Sequence, residues 1–206
     1  MIPSMEFKVK KLLKEHRKVV EKLLPILKSG DFYLAGGTAL FYYLEHRYSI
    51  DLDFFTQKNI DLRDFYQNFS PQEIKTISKD TIHAEVDQVN ISFFLYPYPL
   101  LKPLSELDLI KVASLEDILC MKVNAIILRG SRKDFVDVYF IMKSMKMKSN
   151  DVIKLFTKKF GKYDELIIRK ALTYFEDADN EPKIPTFKKV SWNSIKNFFI
   201  KEFAKI

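Results

Sequence analysis

Cysteine is nearly absent from this chain: Cys120 is the single one in 206 residues. A lone cysteine closes no internal disulfide. In an apolar helical pattern it reads as a small buried hydrophobe, which fits a reducing cytoplasm. Histidine is almost as scarce. His16, His46 and His83 stand isolated in sequence, none at metal-ligand spacing from another, so no zinc site is expected. No run approaches the ~20 apolar residues that span a bilayer. The N-terminal MIPSMEFKVKKLLKEHRK lacks the apolar centre of a signal peptide. A soluble, cytoplasmic protein without membrane association is the expectation. Polar low complexity and internal repeats are missing too. With 47% hydrophobic and 14% aromatic residues, the chain carries enough apolar surface for one sizeable domain or two small ones, and disorder is excluded.

The net charge of +7 is unevenly spread. Residues 141–206 hold 15 Lys+Arg against 8 Asp+Glu, and the preceding 140 are balanced at 19 of each. A basic C-terminal third suits a polyanion such as RNA, or is simply a lysine-rich solvated surface.

Apolar spacing predicts an amphipathic helix over Glu6–Lys28, ended by Gly30. A short buried strand at Tyr33–Ala35, a helix at Thr38–Leu44, a strand at Ile50–Phe55 and a helix at Leu62–Phe69 follow. Ile74–Ser78 and Thr81–Val86 read as strands. Asp87-Gln88 turns the latter into Val89–Tyr96 as a hairpin. Pro97, Pro99 and Pro103 make the next stretch a loop, and Leu107–Val112 returns as a last strand. From Ser114 the pattern is helical. Ser114 and Ser131 cap two helices, ending near Arg129 and Lys143. Helices recur at Asp151–Phe160, Asp164–Phe175 and Trp192–Lys205, with a loop over Glu176–Pro185. Strands followed by helices predict an α+β chain in two lobes, residues 1–112 and 113–206, sharing a cleft.

The chemistry concentrates in Phe32–Thr56. Gly36-Gly37 ends an apolar run, and such a turn before a helix leaves N–H groups for phosphate oxygens. Thr38 fits that cradle or a helix cap. Asp51 and Asp53, two apart on an extended segment, share a face. Paired carboxylates beside a glycine turn suit a divalent cation carrying a nucleoside triphosphate. Arg47 precedes them as a fixed charge for phosphate. Lys122 and Arg129 lie on one face of a later helix and suit the opposite wall of a nucleotide cleft. Lys133 and Asp137 are spaced for a local ion pair. A third carboxylate is left between Glu85, Asp87 and none, because Ser92 stands where an acid is expected.

Gly36-Gly37-Thr38-Ala39-Leu40 followed by His46-Arg47-x-Ser49-x-Asp51-Leu52-Asp53-Phe54-Phe55 resembles the first motif of AbiEii/AbiGii-type nucleotidyltransferases. These are DNA-polymerase-β-like proteins found as toxins of bacterial abortive-infection systems. Ser114-Leu115-Glu116-Asp117 through Lys122, Ala125, Arg129-Gly130, Lys133-Asp134 and Asp137 resembles the family's second block. The resemblance covers roughly Phe32–Phe140. It implies a nucleotidyltransferase-fold mixed sheet flanked by helices, then a helical lobe. It implies Mg²⁺ or Mn²⁺ on Asp51 and Asp53, and an NTP held by Gly36, Gly37, Thr38 and Ser49. Lys122 would be the functional lysine, and Lys133 and Asp134 the family's basic–acidic pair. An RNA acceptor such as a tRNA 3′ end and a cognate antitoxin are the implied partners. The expected function is Mg-dependent transfer of NMP to a macromolecule. A weak or inactive nucleotide- or partner-binding module is the second reading. A haloacid-dehalogenase-type phosphatase is disfavoured, since Phe55 stands where that D-x-D motif needs Thr or Val.

Overall fold

The structure, a computed structural model, describes residues 11–204. The chain forms two compact units. One holds Ser49–Ser114 and the described residues up to Tyr43. The other holds Leu44–Tyr48 and the described residues from Leu115 onward. No helix among the described residues is long and apolar enough to cross a membrane.

The first unit contains α1 (Lys14–Ser29), β1 (Tyr33–Ala35), α2 (Gly36–Leu44), β2 (Leu52–Thr56) and α3 (Leu62–Asn68). It continues through β3 (Ile74–Ile77), β4 (Thr81–Val86), β5 (Val89–Leu95), β6 (Ser105–Leu107) and β7 (Ile110–Val112). In α1, Val19, Val20, Leu23, Ile26 and Leu27 recur at helical spacing and are all buried. The helix ends at Gly30, where a Cβ would fall 2.3 Å from the Phe32 ring. Only glycine lets the chain turn that tightly into β1.

The strands form one mixed sheet in the order β3-β4-β5-β2-β1-β7-β6. β2 runs parallel to β5 and antiparallel to β1, and β1 runs parallel to β7. Alternation sends Leu52, Phe54, Ile82, Ala84, Ile91 and Phe93 into the core, all at most 1% exposed. Phe93 is its hub, with ring centroids 4.8 Å from Phe65, 5.1 Å from Phe32 and 5.6 Å from Phe54. The intervening residues of β2, β4 and β5 occupy the other, half-exposed face.

The second unit contains α4 (Leu115–Arg129), α5 (Arg132–Ser144), α6 (Ser149–Phe160), α7 (Glu165–Thr173), α8 (Glu176–Asn180) and α9 (Trp192–Phe203). Helix α4 packs against α5, α6 and α7, and α5 also against α8 and α9. Phe135, Phe175, Trp192 and Phe199 form its aromatic core. Cys120 is fully buried, and burial pushes its thiol up to about 12, so it is inert packing.

Several expectations need correction. Helix α1 begins at Lys14, and the expected residues Glu6–Lys10 lie outside those described. β2 begins at Leu52, which leaves Asp51 just ahead of the strand. Leu107–Val112 is a hairpin rather than one strand, because Asp108 adopts φ +50° and turns β6 back onto β7. Glu176–Pro185 opens with the short helix α8. The buried Arg132 guanidinium donates to the Ala178 and Asp179 carbonyls at 2.8 and 3.1 Å, and so satisfies groups at the end of that helix. Helix α7 stops at Thr173, two residues early.

Phe93→Ala should lower the unfolding free energy by about 3–5 kcal/mol in urea titrations. Phe94→Ala, on the other face of the same strand, should cost clearly less.

Candidate active site

The sequence-predicted residues fall into two groups, one in each unit. In the sheet unit, β1 ends at Ala35 and α2 starts at Gly36, which has φ +72°. A Cβ at Gly36 would stand 2.8 Å from Asp53 Oδ2. Glycine is therefore required twice, by the left-handed backbone and by the carboxylate pressed against it. Gly37 and Thr38 continue into the buried first turn of α2.

Asp51 lies outside the ladder, yet its position is determined. Thr38 Oγ1–H donates to the Asp51 carbonyl at 2.5 Å, and the Thr38 and Ser49 hydroxyls are 2.9 Å apart. One residue earlier, the Ile50 carbonyl accepts from His16 Nε2–H at 2.9 Å. His16 Nδ1 then accepts from the Tyr42 hydroxyl at 2.6 Å. Side chains of α1 and α2 thus hold the backbone that a sheet would otherwise hold. Asn90 donates to Asp51 Oδ1 at 3.2 Å. Asn90 is two residues from Ser92, the partner of Asp53 across β2 and β5, so both carboxylates rise from one face of the sheet.

Of the third-ligand candidates, Asp87 sits in the β4–β5 turn at φ +49° and pairs with Lys18 and Lys22. Glu85 shares the face of Asp53 but is bonded to Lys75. Among the described residues no three His, Cys, Asp or Glu side chains form a metal cluster. Mg²⁺ binds hard oxygens, keeps part of its water and needs only one or two carboxylates when phosphates complete the shell. Asp51 and Asp53 fit an ion that arrives with a triphosphate, not an all-protein cage.

In the helical unit the centre is Asp137, which is 0% exposed. Arg47 binds it through Nε at 2.6 Å and Nη2 at 2.8 Å, His46 Nε2–H at 2.7 Å and Lys122 Nζ at 2.7 Å. Lys122 also reaches Asp134 at 2.9 Å, and Arg129 reaches Asp134 at 2.8 Å. Lys122 and Arg129 do share a helix face, and they converge on one carboxylate. The expected Lys133–Asp137 pair does not form, because Asp137 turns inward to three other cationic or donor groups, and Lys133 is exposed. Burial alone would raise the Asp137 carboxyl, but Lys122 and Arg47 outweigh it and hold the group well below its ordinary range. Burial would likewise lower the Lys122 ammonium, and Asp137 and Asp134 reverse that, leaving it raised. Burial keeps His46 neutral by lowering its pKa, against the pull of Asp137. The buried His46 Nδ1 has no hydrogen-bond partner among the described residues.

The three histidines, isolated from one another in sequence, each find a hydrogen-bond partner in the fold. His16 and His46 are bonded as described, and His83 Nδ1 lies 3.0 Å from Ser92 Oγ. Counting outward from the Asp87-Gln88 turn pairs His83 with Ser92, so that contact had a signal in the sequence. Asp137 as the centre of charge had none, since His46 and Arg47 lie about 90 residues away.

A family model for the nucleotidyl transferase AbiEii toxin of type IV toxin–antitoxin systems matches residues 23–98 and 89–205. An uncharacterised protein of Aquifex aeolicus strain VF5 is 39% identical over 209 residues, spanning 96% of this chain and 100% of its own. The crystal structure of JHP933 from Helicobacter pylori aligns with a TM-score of 0.51 at 17% identity over 92% of each chain. A second H. pylori structure has the same score and identity, over 94% of this chain and 98% of its own. At that identity the likeness speaks for the fold alone.

His16 and His46 have folded pKa values lowered below the ordinary 6.5. The unfolded chain therefore takes up protons first as pH falls, and stability present above pH 6.5 is lost below it. Urea unfolding at about pH 7.5 and about pH 5.5, either side of the ordinary histidine pKa, should show that loss. His46→Gln keeps a donor for Asp137 without titrating, and should flatten the dependence.

Proposed function

Because this chain belongs to the AbiEii family of nucleotidyl transferase toxins of type IV toxin–antitoxin systems, we propose that it transfers a nucleoside monophosphate from an NTP to RNA, with Mg²⁺ on Asp51 and Asp53. One observation carries the reading. Two carboxylates share a sheet face beside a glycine whose missing Cβ leaves Asp53 in contact with the start of α2. Bound Mg²⁺ would neutralise charge on the departing pyrophosphate and activate the acceptor hydroxyl. Gly36 and Gly37 present the first N–H groups of α2 to phosphate oxygens. Thr38 and Ser49, hydroxyl to hydroxyl, hold the Asp51 backbone and with it the direction of its carboxylate. In the helical unit, Lys122 and Asp134 serve as a fixed charge pair. Arg129 is held to Asp134 at 2.8 Å, exposed Lys133 is the cation offered to phosphate, and Arg47 positions Asp137.

The RNA acceptor is supported by the second unit's charge. A cavity of about 440 Å³ is lined by Lys183, Asn193 and Trp192. Another of about 300 Å³ is lined by Tyr139, Lys143, Lys188 and Lys189. Ammonium groups beside aromatic rings suit phosphates and unpaired bases. A tRNA 3′ end is the acceptor class proposed, and the toxin family adds a cognate antitoxin as partner.

Incubation with α-labelled NTPs, Mg²⁺ and total RNA should move label into RNA. Asp53→Asn should reduce that transfer at least about a hundredfold, near 2.7 kcal/mol of barrier. RNA affinity should fall steeply between about 50 and 200 mM salt, as phosphate contacts displace counterions, and Lys188→Ala/Lys189→Ala should make the slope shallower.

A further inference from the structure

Across four adjacent strands the ladder aligns Ala35, Asp53, Ser92 and His83 in one row. Residues paired directly across strands share a face, so the hydroxyl of Ser92 stands on the same face as the Asp53 carboxylate, one strand spacing of about 4.8 Å away. His83 is one strand further, with Nδ1 3.0 Å from Ser92 Oγ. Its ring lies edge-on to Phe94, with centroids 5.8 Å apart at 79°, which restricts how the imidazole turns. The carboxylate in the next row, Glu85, is engaged by Lys75. The position beside Asp53 therefore carries a hydroxyl with a base in hydrogen-bond reach, the geometry of an activated nucleophile. A hydroxyl held on the protein next to the reacting phosphate also has an entropic advantage over one that must diffuse in.

We propose that Ser92 is itself an acceptor, and that the protein attaches an NMP to this side chain with His83 taking the proton. The step rests on the nucleotidyl transfer proposed above. The Ser92 Oγ–Pα bond forms as the bond from Pα to the bridging oxygen breaks. Pyrophosphate leaves with the electron pair, and the hydroxyl proton passes to His83 Nδ1, which later returns it to solvent. No electrons are exchanged, and the only co-reactant is the NTP. The product is a phosphodiester between Ser92 and the nucleoside. It occupies the face that carries Asp53, so modification is self-limiting.

The test combines peptide mapping with a metal-free readout. Protein incubated with α-labelled NTP and Mg²⁺ should gain one NMP, located on Ser92 by mass spectrometry. Ser92→Ala should abolish the adduct, and His83→Gln should slow its formation by about a hundredfold. In the metal-free protein, ¹⁵N NMR should find Nδ1 of His83 unprotonated and Nε2 protonated, since only that tautomer accepts the Ser92 proton. A proton on Nδ1, an adduct that survives in Ser92→Ala, or label entering RNA with none on the protein each overturns the proposal. In the last case the function proposed above stands. No label on RNA or protein, with no NTP binding by calorimetry, removes both.

Discussion

A fully buried carboxylate organises the helical unit. Asp137 leaves water, and that loss is offset only because Arg47, Lys122 and His46 all meet it. Removing any one of them leaves charge or polarity stranded in a low-dielectric interior. The same network explains why Leu44–Tyr48, a short excursion from the sheet unit's sequence, belongs to the helices. The Phe187 N–H donates to the His46 carbonyl at 2.9 Å, and Arg47 bridges to Thr186, fastening that excursion from the other side. Lys122 stands where two acids compete for one ammonium. Its charge and position are consequences of burial as much as of its place in the motif.

The sheet unit solves the opposite problem. Asp51 is exposed and Asp53 half-buried, so neither carboxylate is sealed into the core. The fold spends its hydrogen bonds on the backbone around them. Thr38 and His16 hold the carbonyls of Asp51 and Ile50, and Gly36 yields its side-chain space to Asp53. One end of that face is polar, with Asp51, Asn90, Ser92 and His83. The other is aromatic, where Phe55 stacks on Phe94 with centroids 5.0 Å apart.

Much of the fold was legible because its signals are local. Alternation in Thr81–Val86 and Val89–Leu95, with a two-residue turn between them, specifies a hairpin, and helical spacing in Leu115–Arg129 specifies a helix. Boundaries were less legible where tertiary contacts decide them. Asp51 left the ladder because Thr38 captures its carbonyl, and Asp179 and Ala178 curl into a helix that Arg132 completes. The candidate site divides the same way. Gly36-Gly37 and the two aspartates were visible as a motif, whereas the direction of Glu85 depended on the cross-strand register.

Residue order by itself determined the α+β layout, the glycine turn beside paired acids and the basic C-terminal third, since each depends on neighbours within a few positions. Only the tertiary structure decided that Asp137 gathers His46, Arg47 and Lys122, that Lys133 is left exposed, and that Ser92 stands beside Asp53. The physical reason is range. Periodicity acts through adjacent turns and strands of one segment, while a buried charge takes its partners from wherever the chain folds them within about 3 Å, the span of a charge-assisted hydrogen bond.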